Sequence, residues 1–397
     1  MNKKVMALAV AGALAAPGAA LAQASNVQIY GTMYVEYGYV KQNTGLVGVS
    51  PGTTVNADIM QAPGSEIGFK GEEALGGGTS AWFQCASSAT PLGATAITGT
   101  GAFCSRSSAV GLKGSFGNVF IGNWDMPFKI VGNGQNRIVS DTGLPGAGPM
   151  IFGGSASTSG ATAPTTWSRR QNSSISYHSP DISGFQVMLG MSSPTNATPP
   201  RSETAVSANT TGAKSRVTSV GAQYTNGPLY VSVAYENHAN FFPSGATIAG
   251  NDNAWVVGGN YTFGPVKVGL IWTKQKYETT LITSADVSAY NLAVDWKIQG
   301  PHELLLAYTK AQDTKGSFGT GAVVAMGNRI YNGGAGQTGA NMWQAEYQYW
   351  FSKRTRGSLG YVRVSNDTNA TYALGGAAAV VGGQSQDAGF ISMKTTF

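Results

Sequence analysis

The sequence predicts an all-β fold, a transmembrane 16-stranded antiparallel β-barrel. Three observations carry this. Long segments alternate apolar and polar residues with period two, so each strand has one face for lipid and one for water. No window approaches 18 consecutive apolar residues, which excludes a transmembrane helix. The connections between segments alternate between short and long, as in a barrel with short turns at one end and loops at the other. Composition agrees: 55 Gly among 397 residues, 11% charged residues and 10% aromatics, with a mean hydropathy of -0.07 in which the two faces cancel.

Residues 1–22 read as a secretory signal. Lys3 and Lys4 form a basic start, Val5 to Ala16 is an apolar run too short to span a bilayer, and Ala20-Leu21-Ala22 is a cleavage triplet. The expected mature chain, 23–397, is one barrel without a linker. Loss of the two lysines takes the formal net charge from +6 to +4. That is far from the Lys/Arg clustering of a nucleic-acid binder, so no nucleic acid is expected as a partner.

The first strand is NVQIYGTMYVEYGYVK, 26–41. Val27, Ile29, Met33, Val35, Tyr37 and Tyr39 share one face; Gln28, Tyr30, Thr32, Tyr34 and Glu36 share the other. The same alternation places Leu229, Val231, Val233 and Tyr235 outward against Tyr230, Ser232 and Ala234. It places Val266, Val268, Leu270 and Trp272 outward against Lys267 and Gly269. Further on, Tyr290, Leu292, Val294, Trp296 and Ile298 oppose Asn291, Ala293, Asp295 and Lys297. Near the end, Trp343, Ala345, Tyr347, Tyr349 and Phe351 oppose Gln344, Glu346 and Gln348. Aromatics gather at segment ends, as interfacial girdles require. The last segment, QSQDAGFISMKTTF, ends on Phe397 and is the expected partner of the first strand. That pairing leaves no strand edge open in lipid.

Short connections are expected at 71–78, 115–117, 180–183, 226–228, 264–265, 300–302 and 352–356. Gly and Pro set most of these turns. Long ones are expected at 42–56, 86–103, 127–168, 194–214, 239–252, 278–285, 313–340 and 367–384. Cys85 and Cys104 flank the loop 86–103 at the base of a hairpin in an oxidising compartment, which predicts a disulfide. In the chain-entropy account such a closure contributes about 3 kcal/mol. With only three His, none near the two cysteines in sequence, no metal site is expected. No catalytic or cofactor motif stands out, so neither enzyme chemistry nor a cofactor is expected.

Several stretches together resemble the trimeric general porins of Gram-negative outer membranes, in their anion-selective branch. They are NVQIYGTMYVEYGYV, SEIGFKGEEALGGGTSAWFQ at 65–84, SSAVGLKGSFGNVFIGNWDMPF at 107–128, NSSISYHSPDISGFQV at 172–187 and the closing strand with Phe397. The resemblance implies a third loop folded into the pore, placed here at 127–168, and a homotrimer in the outer membrane with both termini periplasmic. It implies a water-filled channel passing ions and small hydrophilic solutes, with mild anion selectivity. Lipid, lipopolysaccharide and the outer-membrane assembly machinery are the implied partners, and Phe397 resembles the aromatic assembly signal.

The resemblance also places candidate pore residues. Arg106 and Arg170 match family arginines on the wall opposite the third loop, with Arg169 an alternative to Arg170. Where a third arginine would stand, this chain has Glu66. Asp125 and Asp141 add negative charge; Lys129 and Arg137 oppose it. A carboxylate beside two guanidiniums cuts the local positive potential. By its spacing from Val110 and Leu112, Arg106 reaches the lumen only if the alternation breaks ahead of the fourth strand. Rival readings are a substrate-specific channel of the same fold, and a barrel-embedded hydrolase or an adhesin.

Overall fold

The computed structural model describes residues 27–43, 54–92, 103–135, 143–153, 167–192, 216–241, 250–280, 283–316, 323–326, 329–332, 336–377, 380 and 382–397. The expected signal segment 1–22 lies outside them.

The barrel closes with sixteen antiparallel strands. They are β1 (Gln28–Asn43), β2 (Thr54–Gln61 continued by Glu66–Gly76), β3 (Thr79–Ser88), β4 (Ser108–Gly114), β5 (Gly117–Asp125), β6 (Arg170–His178), β7 (Phe185–Ser192) and β8 (Arg216–Asn226). Then come β9 (Leu229–Phe241), β10 (Gly250–Phe263), β11 (Val266–Thr280), β12 (Thr283–Gln299), β13 (His302–Ala311), β14 (Ala340–Trp350), β15 (Thr355–Asn366) and β16 (Ser385–Thr396). Each strand pairs with the next, and β16 pairs with β1 from Thr32↔Thr396 to Gln42↔Gln386. Beyond the strand, Phe397 and Gly31 exchange two backbone hydrogen bonds of 3.1 Å. Both pieces of β2 pair with β1, one above the other. Across the break between them, the Ser65 hydroxyl accepts from Tyr34 N and donates to Tyr34 O, both at 2.9 Å, in place of the missing ladder. A small two-stranded pair, Val323–Met326 with Arg329–Asn332, lies outside the barrel sheet.

The faces follow the alternation. Ile29, Trp343 and Ile391 stand outward at 62%, 59% and 59% exposure, whereas Tyr34, Glu36, Gln344 and Gln348 are buried within. Two connections differ from expectation. The strand continues through Gly71–Gly76, and the turn is Gly77-Gly78, both at positive φ where glycine is free of Cβ strain. The loop expected at 278–285 is mostly ladder, because β11 and β12 stay paired to Glu278↔Ser284 and Thr280↔Thr283.

The interior is not polar throughout. On β12 to β16 and β1, inward positions carry Ala285, Val287, Ala289, Leu305, Ala307, Met342, Val362, Val364, Phe390 and Val40, all buried. These form one apolar cluster with Phe128, Val131, Leu144, Met150, Ile151, Phe152 and Trp167, residues of the connection between β5 and β6. The described parts of that connection therefore lie inside the barrel. Burying each of its large side chains contributes about 1.5–3 kcal/mol, which holds the loop against the wall.

Candidate pore and constriction

The loop inside the barrel is described in three pieces. The first holds α1 (Pro127–Asn133), opened by Pro at its first position, where a missing N–H costs nothing. It packs on β8, β9 and β10. Phe128 N donates to Ser219 Oγ at 3.0 Å, and Asn260 Nδ2 donates to Gln135 O at 2.8 Å. The second piece, 143–153, holds α2 (Gly148–Ile151). Its start meets β1: Leu144 N donates to Glu36 Oε1 at 2.9 Å, and Leu144 occupies the space that a side chain on Gly38 would fill. Its end meets β11, where Thr273 Oγ1 and Gln275 Nε2 donate to Ile151 O at 2.8 and 2.6 Å.

The third piece, 167–169, leads back to β6. Trp167 stacks on His238 with ring centroids 4.1 Å apart and planes 15° apart. Its indole N–H donates to Tyr277 Oη at 2.8 Å. His238 Nε2 lies 2.8 Å from Glu236 Oε1. Arg169, 1% exposed, lies beside Glu236 and His238. It is thus part of the loop's anchorage on β9.

The other candidates separate into two clusters. Glu66 opens the second piece of β2, and its alternation with outward Ile67 puts it on the inner face. Arg106 reaches it, Nε to Oε2, at 2.6 Å. Arg106 lies before β4 begins, where strand parity no longer applies. Its N–H donates to Ala86 O, and its carbonyl accepts from Asn123 Nδ2. Both side chains are about a quarter exposed (24% and 27%), so solvent screening keeps this pair within ~1 kcal/mol. In the second cluster Asp125 is shared by Lys129 at 2.9 Å and Arg170 at 3.1 Å, and Arg170 Nε also donates to Ser107 Oγ. Arg137 and Asp141 lie outside the described residues. The first cluster is neutral as a unit; the second keeps one positive charge.

Other charges lie toward the short-turn end. Alternation turns Lys70, Lys113, Lys267, Lys297, Arg356 and Lys394 inward there. These six cations face four carboxylates, Glu72, Asp295, Glu303 and Glu346. Some are paired, as Lys113–Glu72 at 2.6 Å and Lys267–Asp295 at 3.8 Å. Sequence reasoning put several of these lysines inward but did not gather them, because they come from six strands that only barrel closure brings around one lumen.

The disulfide Cys85–Cys104 is present, with Cα atoms 4.6 Å apart. It ties β3 to the segment leading into β4.

A closed barrel with an internal loop and charged inner walls is the architecture of a diffusion channel. The Gram-negative porin family model matches residues 7–369 of the chain. The chain belongs to that family. Among relatives, outer membrane porin protein 32 of Delftia acidovorans is 27% identical over 321 residues, 79% of this chain and 82% of its own length. A monosaccharide porin of a Halomonas species is 24% identical over 308 residues, 74% of this porin and 75% of the relative. Among solved structures, an anion-selective porin from Comamonas acidovorans superposes with a TM-score of 0.72 at 20% identity. It covers 94% of this porin and all of the neighbour. OmpT of Vibrio cholerae, in a trimer form, gives a TM-score of 0.62 at 14% identity, covering 94% and 100%. The protein is an outer-membrane porin: a passive channel across the outer membrane.

Proposed function

We propose that this porin passes ions and small hydrophilic solutes with a mild preference for anions, and that it works as a homotrimer with both termini periplasmic. The observation that carries the selectivity is the excess of inward cations near the short-turn end, above which one charge cluster is self-neutralised by Glu66. Charged rings on a channel wall select by the field they set across it. Because Arg106 is paired with Glu66, and Arg170 shares Asp125 with Lys129, the narrow part contributes less than bare arginines would. Hence the preference is mild. The relatives are channels, and we infer no bond-making step for this chain. The trimer reading is supported by the trimer form of the Vibrio cholerae neighbour. Lipopolysaccharide around the barrel and recognition of Phe397 by the assembly machinery complete the expected partners.

The test is a planar bilayer under a KCl gradient. Stepwise conductance with a reversal potential toward chloride supports the proposal; a reversal potential toward potassium overturns the selectivity, and absence of steps overturns the channel.

A further inference from the structure

The lumen wall of β3 to β6 breaks the polar-in rule at one place. Trp82, Phe120 and Trp124 point inward and touch: Trp82 and Phe120 are 5.4 Å apart between centroids, Trp82 and Trp124 5.7 Å, Phe120 and Trp124 5.2 Å. Trp82 and Phe120 come from strands that are not neighbours, since β4 runs between them. They meet because β4 presents Gly111 at the paired position. A Cβ there would stand 2.6 Å from Phe120 Cβ and 2.7 Å from Trp82 Nε1. Phe120 lies underneath at 2% exposure, and the two indoles are only half-buried.

Trp82 borders a cavity of about 470 Å³ on the inner wall, shared with Lys70, Glu72, Gln84, Lys113 and Asn118. Asn118 Oδ1 accepts the Trp82 indole N–H at 2.7 Å, which fixes the ring. Lys113 is occupied by Glu72. Lys70 lies over the Tyr30 ring at 5.2 Å and has no carboxylate partner among the described residues. The cavity thus offers a held indole, side-chain amides and one uncommitted ammonium.

We propose that this wall is a weak binding subsite for small organic anions that carry a planar ring. The ring rests on Trp82, and the carboxylate meets Lys70. Aromatic faces hold planar rings by stacking, with little demand on identity, and a Lys ammonium supplies a point charge for the carboxylate. An anion attracted into the lumen is thereby retained if it has a ring and passes freely if it has none. The proposal rests on the channel reading above.

The experiment is single-channel recording in KCl, adding benzoate, acetate, benzyl alcohol or glucose at equal concentration. Stepwise conductance before any addition tests the channel reading separately. Benzoate is expected to reduce open-channel current in a saturable way, and acetate, benzyl alcohol and glucose to do so far less. Trp82→Ala should raise the half-blocking benzoate concentration about tenfold, about 1.4 kcal/mol. Trp82→Phe, which keeps a ring, should retain most of the block, and Lys70→Gln should weaken benzoate without affecting benzyl alcohol. Acetate block equal to benzoate block overturns the ring requirement. Glucose block equal to benzoate block overturns the anion class. Unchanged benzoate block in a folded, conducting Trp82→Ala channel overturns the site.

Discussion

Replacing Glu66 with Gln removes one negative charge from the inner wall and frees Arg106 from its 2.6 Å partner. Gln is isosteric and both groups are partly exposed, so the barrel should fold normally. A mobile ion passing ~6 Å from the carboxylate interacts with it by about 0.7 kcal/mol in water. At 0.1 M salt, where the Debye length is about 10 Å, roughly 0.4 kcal/mol of this survives; at 1 M, about 0.1 kcal/mol. Removal helps an anion and hinders a cation by the same amount, so the two effects double in the permeability ratio. The chloride-to-potassium ratio should rise about fourfold at 0.1 M and less than about 1.5-fold at 1 M. Arg106→Gln should shift it the opposite way. Reversal potentials at two mean salt concentrations, with a fixed gradient ratio, measure both effects. No shift at 0.1 M would place Glu66 away from the ion path. A shift that persists undiminished at 1 M would mean the variant changed pore shape, not field.

Three other expectations follow from contacts already described. Gly38→Leu takes the space of Leu144, so the start of the second loop piece should leave β1. Conductance and current noise should rise, and wild-type values for both would refute that docking. Cys85→Ser with Cys104→Ser removes a closure that contributes about 3 kcal/mol in the chain-entropy model. The loop 86–103 should exchange amide hydrogens faster while conductance stays unchanged; unaltered exchange there would show that other contacts hold it. Deleting Phe397 removes both backbone bonds to Gly31 and the ring that lies 2.6 Å from a Cβ position on Gly31. The folded, heat-modifiable fraction should fall while the surviving channels conduct normally; a wild-type yield would contradict the assembly role.

The strands were legible because period two is a local signal and glycine and proline punctuate it. Leu229–Tyr235 and Tyr290–Ile298 could be assigned, face by face, from their own residues. The loop's seat was less legible. Inward positions such as Ala285, Val287 and Ala289 are apolar while Ser284, Asp286 and Ser288 take the outer face, so the alternation is kept there but its polarity is reversed. Small apolar residues turned inward are the signal that could have marked where the loop packs. The extent of the β11–β12 hairpin was hidden for a related reason: Glu278 to Ala285 is rich in Thr and polar residues, which read as loop, although Tyr277↔Ala285 and Glu278↔Ser284 are paired. Charge partners were least legible. Arg106 meets Glu66 on the β2–β4 wall, where the resemblance set a carboxylate beside two arginines without saying which it takes, and Trp167 finds His238 only through closure of the barrel around the loop. No spacing in the chain encodes that.

The segment 143–153 is also a mechanical element of the wall. It is held by Glu36 on β1 at one end and by Thr273 and Gln275 on β11 at the other. Five strands of wall, β12 to β16, lie between these attachments. A thin-walled cylinder in a membrane is soft to ovalisation, because bending a sheet costs less than stretching it. A segment fastened at both ends and packed along the wall between them stiffens that arc. The aperture should therefore respond little to lateral tension in the bilayer, and its width should vary only as far as the three hydrogen-bonded attachments and the apolar packing between them allow.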